Sequence, residues 1–277
     1  MRVDAAGCQV HVVDQGPEGD RDRSDGVPTL FLHGNPDSSE VWAGVLPALA
    51  AHGRCLAPDL PGFGRSSAPP DLDCSLEGMA HFVEALLQAL GVGGPVNLVV
   101  HDIGGPHGLA WAVRHPQRVH RLVIMNTVFH ADYRWHRLGR LWRTPVVGEL
   151  VQALTTRSGF VREMRRGSRR LSAAQMHRTY DLVTPATKRM VLRWYRATDP
   201  RHFAGWQEAM QALTARVPSL VMWGEHDPYI PRRYAGRFGQ AQVLHFPGVG
   251  HWLPAEAPAE VAQRLREFLY PAPISAG

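Results

Sequence analysis

Lysine is nearly absent from this chain. Of the 30 basic residues only Lys188 is a lysine, and the rest are arginine. The formal net charge is +5, with the arginines crowded between Arg134 and Arg170. A nucleic-acid surface would need aromatic or recognition-helix patterning beside that charge. None accompanies it, so the stretch reads as solvated helix face and no nucleic acid is expected as a partner. Cysteine is also scarce. Cys8, Cys55 and Cys74 are odd in number and show no metal spacing, which argues against a disulfide framework and a metal site. No apolar run approaches the ~20 residues that span a bilayer. Met1 to Val10 lacks the apolar core of a signal peptide. A cytoplasmic protein without a membrane partner is the expectation.

The remaining composition is ordinary globular material. Hydrophobic residues make up 44% of the 277 and charged residues 20%, enough for one domain plus an insertion. There is no internal repeat. Residues Gln15 to Val27 are polar and glycine-rich and read as a mobile turn. After them apolar strands alternate with helical stretches. Strands are expected at Thr29 to Leu32, Arg54 to Ala57, Val96 to Val100, Arg121 to Met125, Ser219 to Trp223 and Gln242 to Phe246. Helices are expected at Ser39 to Ala51, Leu76 to Leu90 and Gly104 to His115. This rhythm predicts an α/β fold with a mostly parallel sheet covered by helices on both faces. From about 129 to 214 the pattern is helical throughout, so the expected organisation is a core of 1–128 and 215–277 interrupted by a helical cap at 129–214. Such a cap would cover the strand ends, where open α/β sheets hold ligands.

Three of those strand ends carry reactive residue types. Val100-His101-Asp102-Ile103-Gly104-Gly105 puts an acid on a turn from strand to helix, with glycines that make room for a sharp bend. A helix N-terminus behind it favours an anion. Trp223-Gly224-Glu225-His226-Asp227 and Gly248-Val249-Gly250-His251-Trp252 come after two later strands. The order is acid, acid, histidine, which matches the chain order nucleophile, acid, base. A simple helix cap is the competing reading of Asp102. Asn126 and Thr127, at the alternative acid position, are not acidic, so Asp227 is the candidate acid. His33 and His101 read as structural, and Glu225 and His226 as turn residues.

These segments, with His33-Gly34-Asn35-Pro36 and Pro58-Asp59-Leu60-Pro61-Gly62-Phe63-Gly64-Arg65-Ser66, resemble the α/β-hydrolase superfamily over essentially the whole chain. Within it they resemble the aspartate-nucleophile branch, the epoxide hydrolases and haloalkane dehalogenases. That resemblance implies an α/β-hydrolase fold with a cap. It also implies Asp102 as nucleophile, His251 as base and Asp227 as its partner, with oxyanion donors at Asn35 and Ile103. A carboxylate attacking an acyl carbon would make an anhydride. Attack on a saturated carbon makes an ordinary ester that water can hydrolyse, so the substrate should carry an epoxide or a halogen.

The two chemistries need different leaving-group donors. A halide needs two N–H groups, and Ile103 supplies no side-chain donor where dehalogenases carry an indole. An epoxide oxygen needs a proton. Leu192-Arg193-Trp194-Tyr195-Arg196 resembles the lid motif of epoxide hydrolases, which makes Tyr195 the candidate acid, with Tyr133 favoured slightly over Tyr180 as a second. Trp135, Trp194 and Trp252 are expected in the pocket, and Trp142 and Trp206 are further lid indoles. His33-Gly34-Asn35-Pro36-Asp37-Ser38-Ser39 leans the other way, toward the dehalogenases. The expectation is an epoxide hydrolase acting with water on a small hydrophobic organic molecule, and a haloalkane dehalogenase is the alternative. A fluoroacetate-type dehalogenase would need an arginine where Ile103 stands, and a non-hydrolytic ligand-binding protein would need no intact triad. No cofactor and no metal are implied.

Overall fold

The computed structural model describes residues 1–17 and 26–271. The turn expected over 15–27 falls largely on 18–25, outside the described residues. The strands are β1 (Arg2–Ala5), β2 (Cys8–Gln15), β3 (Thr29–Leu32), β4 (Cys55–Pro58), β5 (Val96–His101), β6 (Val119–Met125), β7 (Ser219–Gly224) and β8 (Gln242–Phe246). They form one 8-stranded sheet in the order β1-β2-β4-β3-β5-β6-β7-β8. The pairings β1–β2 and β2–β4 are antiparallel and the others parallel. Every residue of β3, β4, β5 and β7 is buried, as strands sandwiched between two helix layers must be.

The helices are α1 (Leu46–Ala50), α2 (Leu76–Ala89), α3 (Gly104–Arg114), α4 (Arg137–Arg143), α5 (Val147–Leu154), α6 (Arg157–Gly167), α7 (Ala173–Asp181), α8 (Pro185–Ala197), α9 (Trp206–Thr214), α10 (Leu253–Glu256) and α11 (Pro258–Leu269). Successive strand side chains point to opposite faces. On one face Leu30, Leu32, Leu98, Val100 and Ile124 share a core with α2 and α3. On the other, Phe31, Val99, Val123 and Met222 pack with α1 and α11. Between β6 and β7 the described chain forms α4 to α9 and no strand. No helix among the described residues is long and apolar enough to cross a membrane.

Two elements differ from the sequence expectation. The β1–β2 hairpin is not among the expected strands, although Cys8, Val10 and Val12 are buried in strict alternation. The helix expected from Ser39 to Ala51 is broken into a 3-10 turn at Ser39–Trp42 and α1. Pro47 opens α1, where its missing N–H costs nothing. A Cβ on Gly44 would lie 2.7 Å from Cβ of Pro258, so the break lies against the start of α11. Because β3 to β8 run parallel, residues 33–37, 59, 102, 126, 227 and 251 all come just after strand ends at one edge of the sheet.

Candidate active site

Asp102 sits between β5 and α3 with φ of +48°. That left-handed conformation costs an L residue roughly 1–2 kcal/mol, and bare backbone around it makes the turn possible. A Cβ on Gly34 would collide with Cβ of Asp102, and one on Gly104 with the His33 carbonyl. The bend turns the carboxylate toward the strand-end edge. Its Oδ1 accepts the Asn35 amide at 2.7 Å, and its Oδ2 lies 3.4 Å from Nε2 of His251. The Ile103 amide, the other expected oxyanion donor, makes no hydrogen bond to this carboxylate, and the Ile103 side chain packs into the core.

Nδ1 of His251 donates to Oδ2 of Asp227 at 2.8 Å. Asp227 is in turn held from three directions. Tyr229 and Ile230 amides donate to its Oδ1 at 2.7 and 3.0 Å, and Nδ2 of Asn126 donates to its Oδ2 at 2.9 Å. Asn126, itself at φ +36°, thus serves the acid from the end of β6. The loop carrying His251 is clamped by the buried Glu256, which accepts the amides of Gly250 and Trp252 at 3.0 and 3.1 Å. The His251 amide donates to the Gly167 carbonyl at 2.8 Å. His101 donates Nε2–H to the His251 carbonyl, also at 2.8 Å. Nε2 of His33 accepts the Leu60 amide at 2.8 Å. Both histidines are buried and hold backbone.

The charges are set by this geometry. Burial raises the pKa of Asp102, but the hydrogen bond and charge of His251 outweigh it and bring it down to about 2. Burial lowers that of His251, yet the charge of Asp227 and the bonds from both carboxylates carry it well above the usual histidine range. Asp102 therefore rests as a carboxylate, and His251 is held toward its protonated form. Desolvation pushes Asp37 up to about 7, against a 2.8 Å hydrogen bond from the Trp252 indole.

A cavity of about 310 Å³ opens on this group, within the range of small-molecule sites. Asp102, His251, Asn35, Tyr195 and Trp252 line it, as does Trp142, one of the lid indoles that could donate to a leaving group; His136 and Tyr229, which sequence reasoning does not place there, line it too. Burial, then the nearby Asp102 charge, pushes the Tyr195 hydroxyl well above its normal range, so it stays protonated. Tyr229 directs its hydroxyl away from the reacting group, onto Glu163 at 3.1–3.2 Å.

Two expected pocket residues, Trp135 and Trp194, and the expected second proton donor, Tyr133, lie outside the cavity wall. The Tyr133 hydroxyl donates to the Tyr229 carbonyl at 3.1 Å, and its ring packs edge-on against Trp135 and Tyr234; its proton is committed to backbone. Trp135 lies behind Tyr195, with ring centroids 4.6 Å apart. Trp194 precedes Tyr195 on α8, so it points about 100° around the helix, where it stacks on Phe63 at 4.5 Å. Tyr180 packs on the cavity residue Phe160 under Arg157 and does not itself line the cavity.

Comparison with known proteins agrees with the architecture. The alpha/beta hydrolase fold family model matches residues 27–258, and the chain belongs to that family. Over 97% of this chain and 94% of the relative it is 28% identical to a cis-3-alkyl-4-alkyloxetan-2-one decarboxylase of Xanthomonas campestris. It is 27% identical to epoxide hydrolase 3 of Xenopus tropicalis, over 97% of this chain and 77% of that one. Among solved structures an ancestral haloalkane dehalogenase superposes with a TM-score of 0.78 at 26% identity, covering 97% of this chain and 98% of the other. The likenesses thus include the aspartate-nucleophile group, and they span more than one reaction.

Proposed function

We propose that this protein opens an epoxide through an ester on Asp102 and hydrolyses that ester to a diol. The observation carrying this reading is the Asp102 carboxylate, held by the Asn35 amide at 2.7 Å and facing His251 at 3.4 Å, in one cavity with the Tyr195 hydroxyl. In this reading Asp102 attacks a ring carbon, the C–O bond breaks, and Tyr195 protonates the leaving oxygen. Esterification removes the negative charge of Asp102, one of the two that hold the His251 proton. His251 can then pass that proton through solvent to the Tyr195 oxygen left by ring opening and take one from the attacking water, with Asp227 stabilising the imidazolium, and the Asp102 carboxylate returns as the diol leaves. The oxyanion formed at the ester would take the Asn35 amide, which already donates to Asp102 at 2.7 Å, with the Ile103 amide as the second donor in this reading. The helical segment 129–214 acts as the cap that supplies Tyr195 and the apolar wall.

A second reading is a strained lactone, favoured by the near-full-length similarity to the oxetanone decarboxylase. Attack at the ring carbon bearing oxygen would release a carboxylate. Its loss as carbon dioxide would expel Asp102 and form an alkene, without water.

The test is intact-protein mass of His251→Gln after exposure to an aryl epoxide, a bromoalkane or a dialkyl oxetan-2-one. A gain of the whole epoxide, retained on Asp102, is expected. A gain of the alkyl group with bromide released would make the protein a dehalogenase, with Asn35 and the buried, unpartnered Nε1 of Trp142 as donors. Turnover of the lactone alone would favour the second reading. No adduct with any probe in a folded protein would overturn the ester mechanism and leave a binding role.

The same charges dictate a pH dependence. Ester formation needs ionised Asp102 and should be flat above pH ~4. Ester hydrolysis needs neutral His251, so it should speed up as pH rises. Rapid-quench mass analysis of the wild type should find more ester at pH ~5 than at pH ~8.

A further inference from the structure

The only lysine of this chain stands in the cavity wall. Thr187, Lys188, Val191 and Tyr195 all line the cavity from α8, on one side of the helix. Tyr195 is at the inner end, where the Asp102 charge reaches it. Lys188 is seven residues, or two turns, earlier, which is ~10 Å along the helix axis. Its Nζ donates to the carbonyl of Thr155 at 3.3 Å. Thr155 comes directly after the last residue of α5, Leu154, which is 77% exposed, so Lys188 marks the outer end of the cavity.

Lys188 has no carboxylate within ion-pair distance among the described residues, and no other Lys or Arg among them lines the cavity. Glu163, the other acid in the wall besides Asp102, is engaged by the Tyr229 hydroxyl at 3.2 Å and by Arg166 at 3.8 Å. Much of the wall is apolar, with Val151, Val183 and Val191 among its residues. An ammonium group holding one carbonyl has donors to spare. The cavity is therefore polarised, with a fixed cation outside and the nucleophile inside.

We propose that Lys188 anchors a carboxylate at the outer end, so that the preferred substrate is an apolar chain bearing an anionic head at the end remote from the carbon attacked by Asp102. The substrate class rests on the ester reading, but the anchoring of an anion does not. It also fixes orientation, because a carboxylate placed at the inner end would face Asp102.

The experiment compares binding of octanoate and 1-octanol by calorimetry, which requires no turnover. Octanoate is expected to bind about ten-fold more tightly, the scale of a charge-assisted hydrogen bond. That ratio should shrink at high salt, approach one in Lys188→Met, and persist in Lys188→Arg. The ratio is internal to each variant, so it is insensitive to the amount of folded protein. Equal binding in the wild type, or a preference for octanoate that survives Lys188→Met, would overturn the proposal. Failure of the His251→Gln adducts would overturn the ester reading and leave this result standing.

Discussion

Asp102→Ala is expected to lower turnover by about 10⁴-fold or more and to abolish every covalent adduct. Removing the attacking atom leaves only binding and the oxyanion donors, and a nucleophile deletion elsewhere has cost about 10⁶. The fold should survive. Alanine at φ +48° inherits the strain already present at this position, and the glycines around it still accommodate the turn. One buried negative charge disappears, so the His251 pKa, now sustained by Asp227 alone, should fall toward the ordinary range. The check pairs steady-state kinetics with an NMR titration of His251. Residual turnover within ten-fold of the wild type would mean that water, activated directly by His251, attacks the substrate and that Asp102 is a helix cap.

Asp227→Asn is expected to cost about 10³–10⁴-fold in turnover, the scale seen when the equivalent carboxylate is replaced in a triad. Asp227 accepts from His251, Asn126, Tyr229 and Ile230 at once. An amide has one accepting oxygen. Either it turns its NH₂ toward His251 and Asn126, so that donors face donors, or it turns it toward the Tyr229 and Ile230 amides with the same result. An unpaired buried donor costs roughly 1–3 kcal/mol, so the unfolding temperature should fall as well. Adding Asn126→Asp restores a carboxylate within 2.9 Å of the Oδ2 that now holds the imidazole. The double variant is expected to recover about ten-fold over Asp227→Asn alone. No recovery, with the fold intact, would show that the charge must arrive from the β7 side.

Much of this is legible along the chain. Buried parallel strands have to be largely apolar, so β3, β5, β6 and β7 stand out in order. The parallel arrangement then gathers the residues just past each strand at one edge. For that reason Asp102, Asp227 and His251, far apart in sequence, can be named together. The β1–β2 hairpin escapes because its alternation is short and its exposed positions are polar.

The cap behaves differently. Its periodicity shows helices, but it does not show which neighbour each face meets. Trp194 and Tyr195 are adjacent residues of α8, and the helical rotation between them sends the first onto Phe63 and the second into the cavity. The lid-motif resemblance points to Tyr195, but nothing in the sequence shows that the hydroxyls of Tyr133 and Tyr229 are engaged elsewhere. The fold commits the Tyr133 hydroxyl to a backbone carbonyl and that of Tyr229 to Glu163. Asn126 is no acid, and only the spatial meeting of the β6 and β7 ends shows that it holds one.

By itself, then, the sequence determined the layered α/β architecture, the helical interruption and the trio Asp102, Asp227 and His251, because strand burial and short βα turns are local properties written in consecutive residues. Tertiary structure alone decided that the Tyr133 and Tyr229 hydroxyls are engaged elsewhere, what clamps His251, and where the one lysine stands in the cavity wall. Those depend on packing between segments distant in sequence, and a helix face has no partner until another element is laid against it.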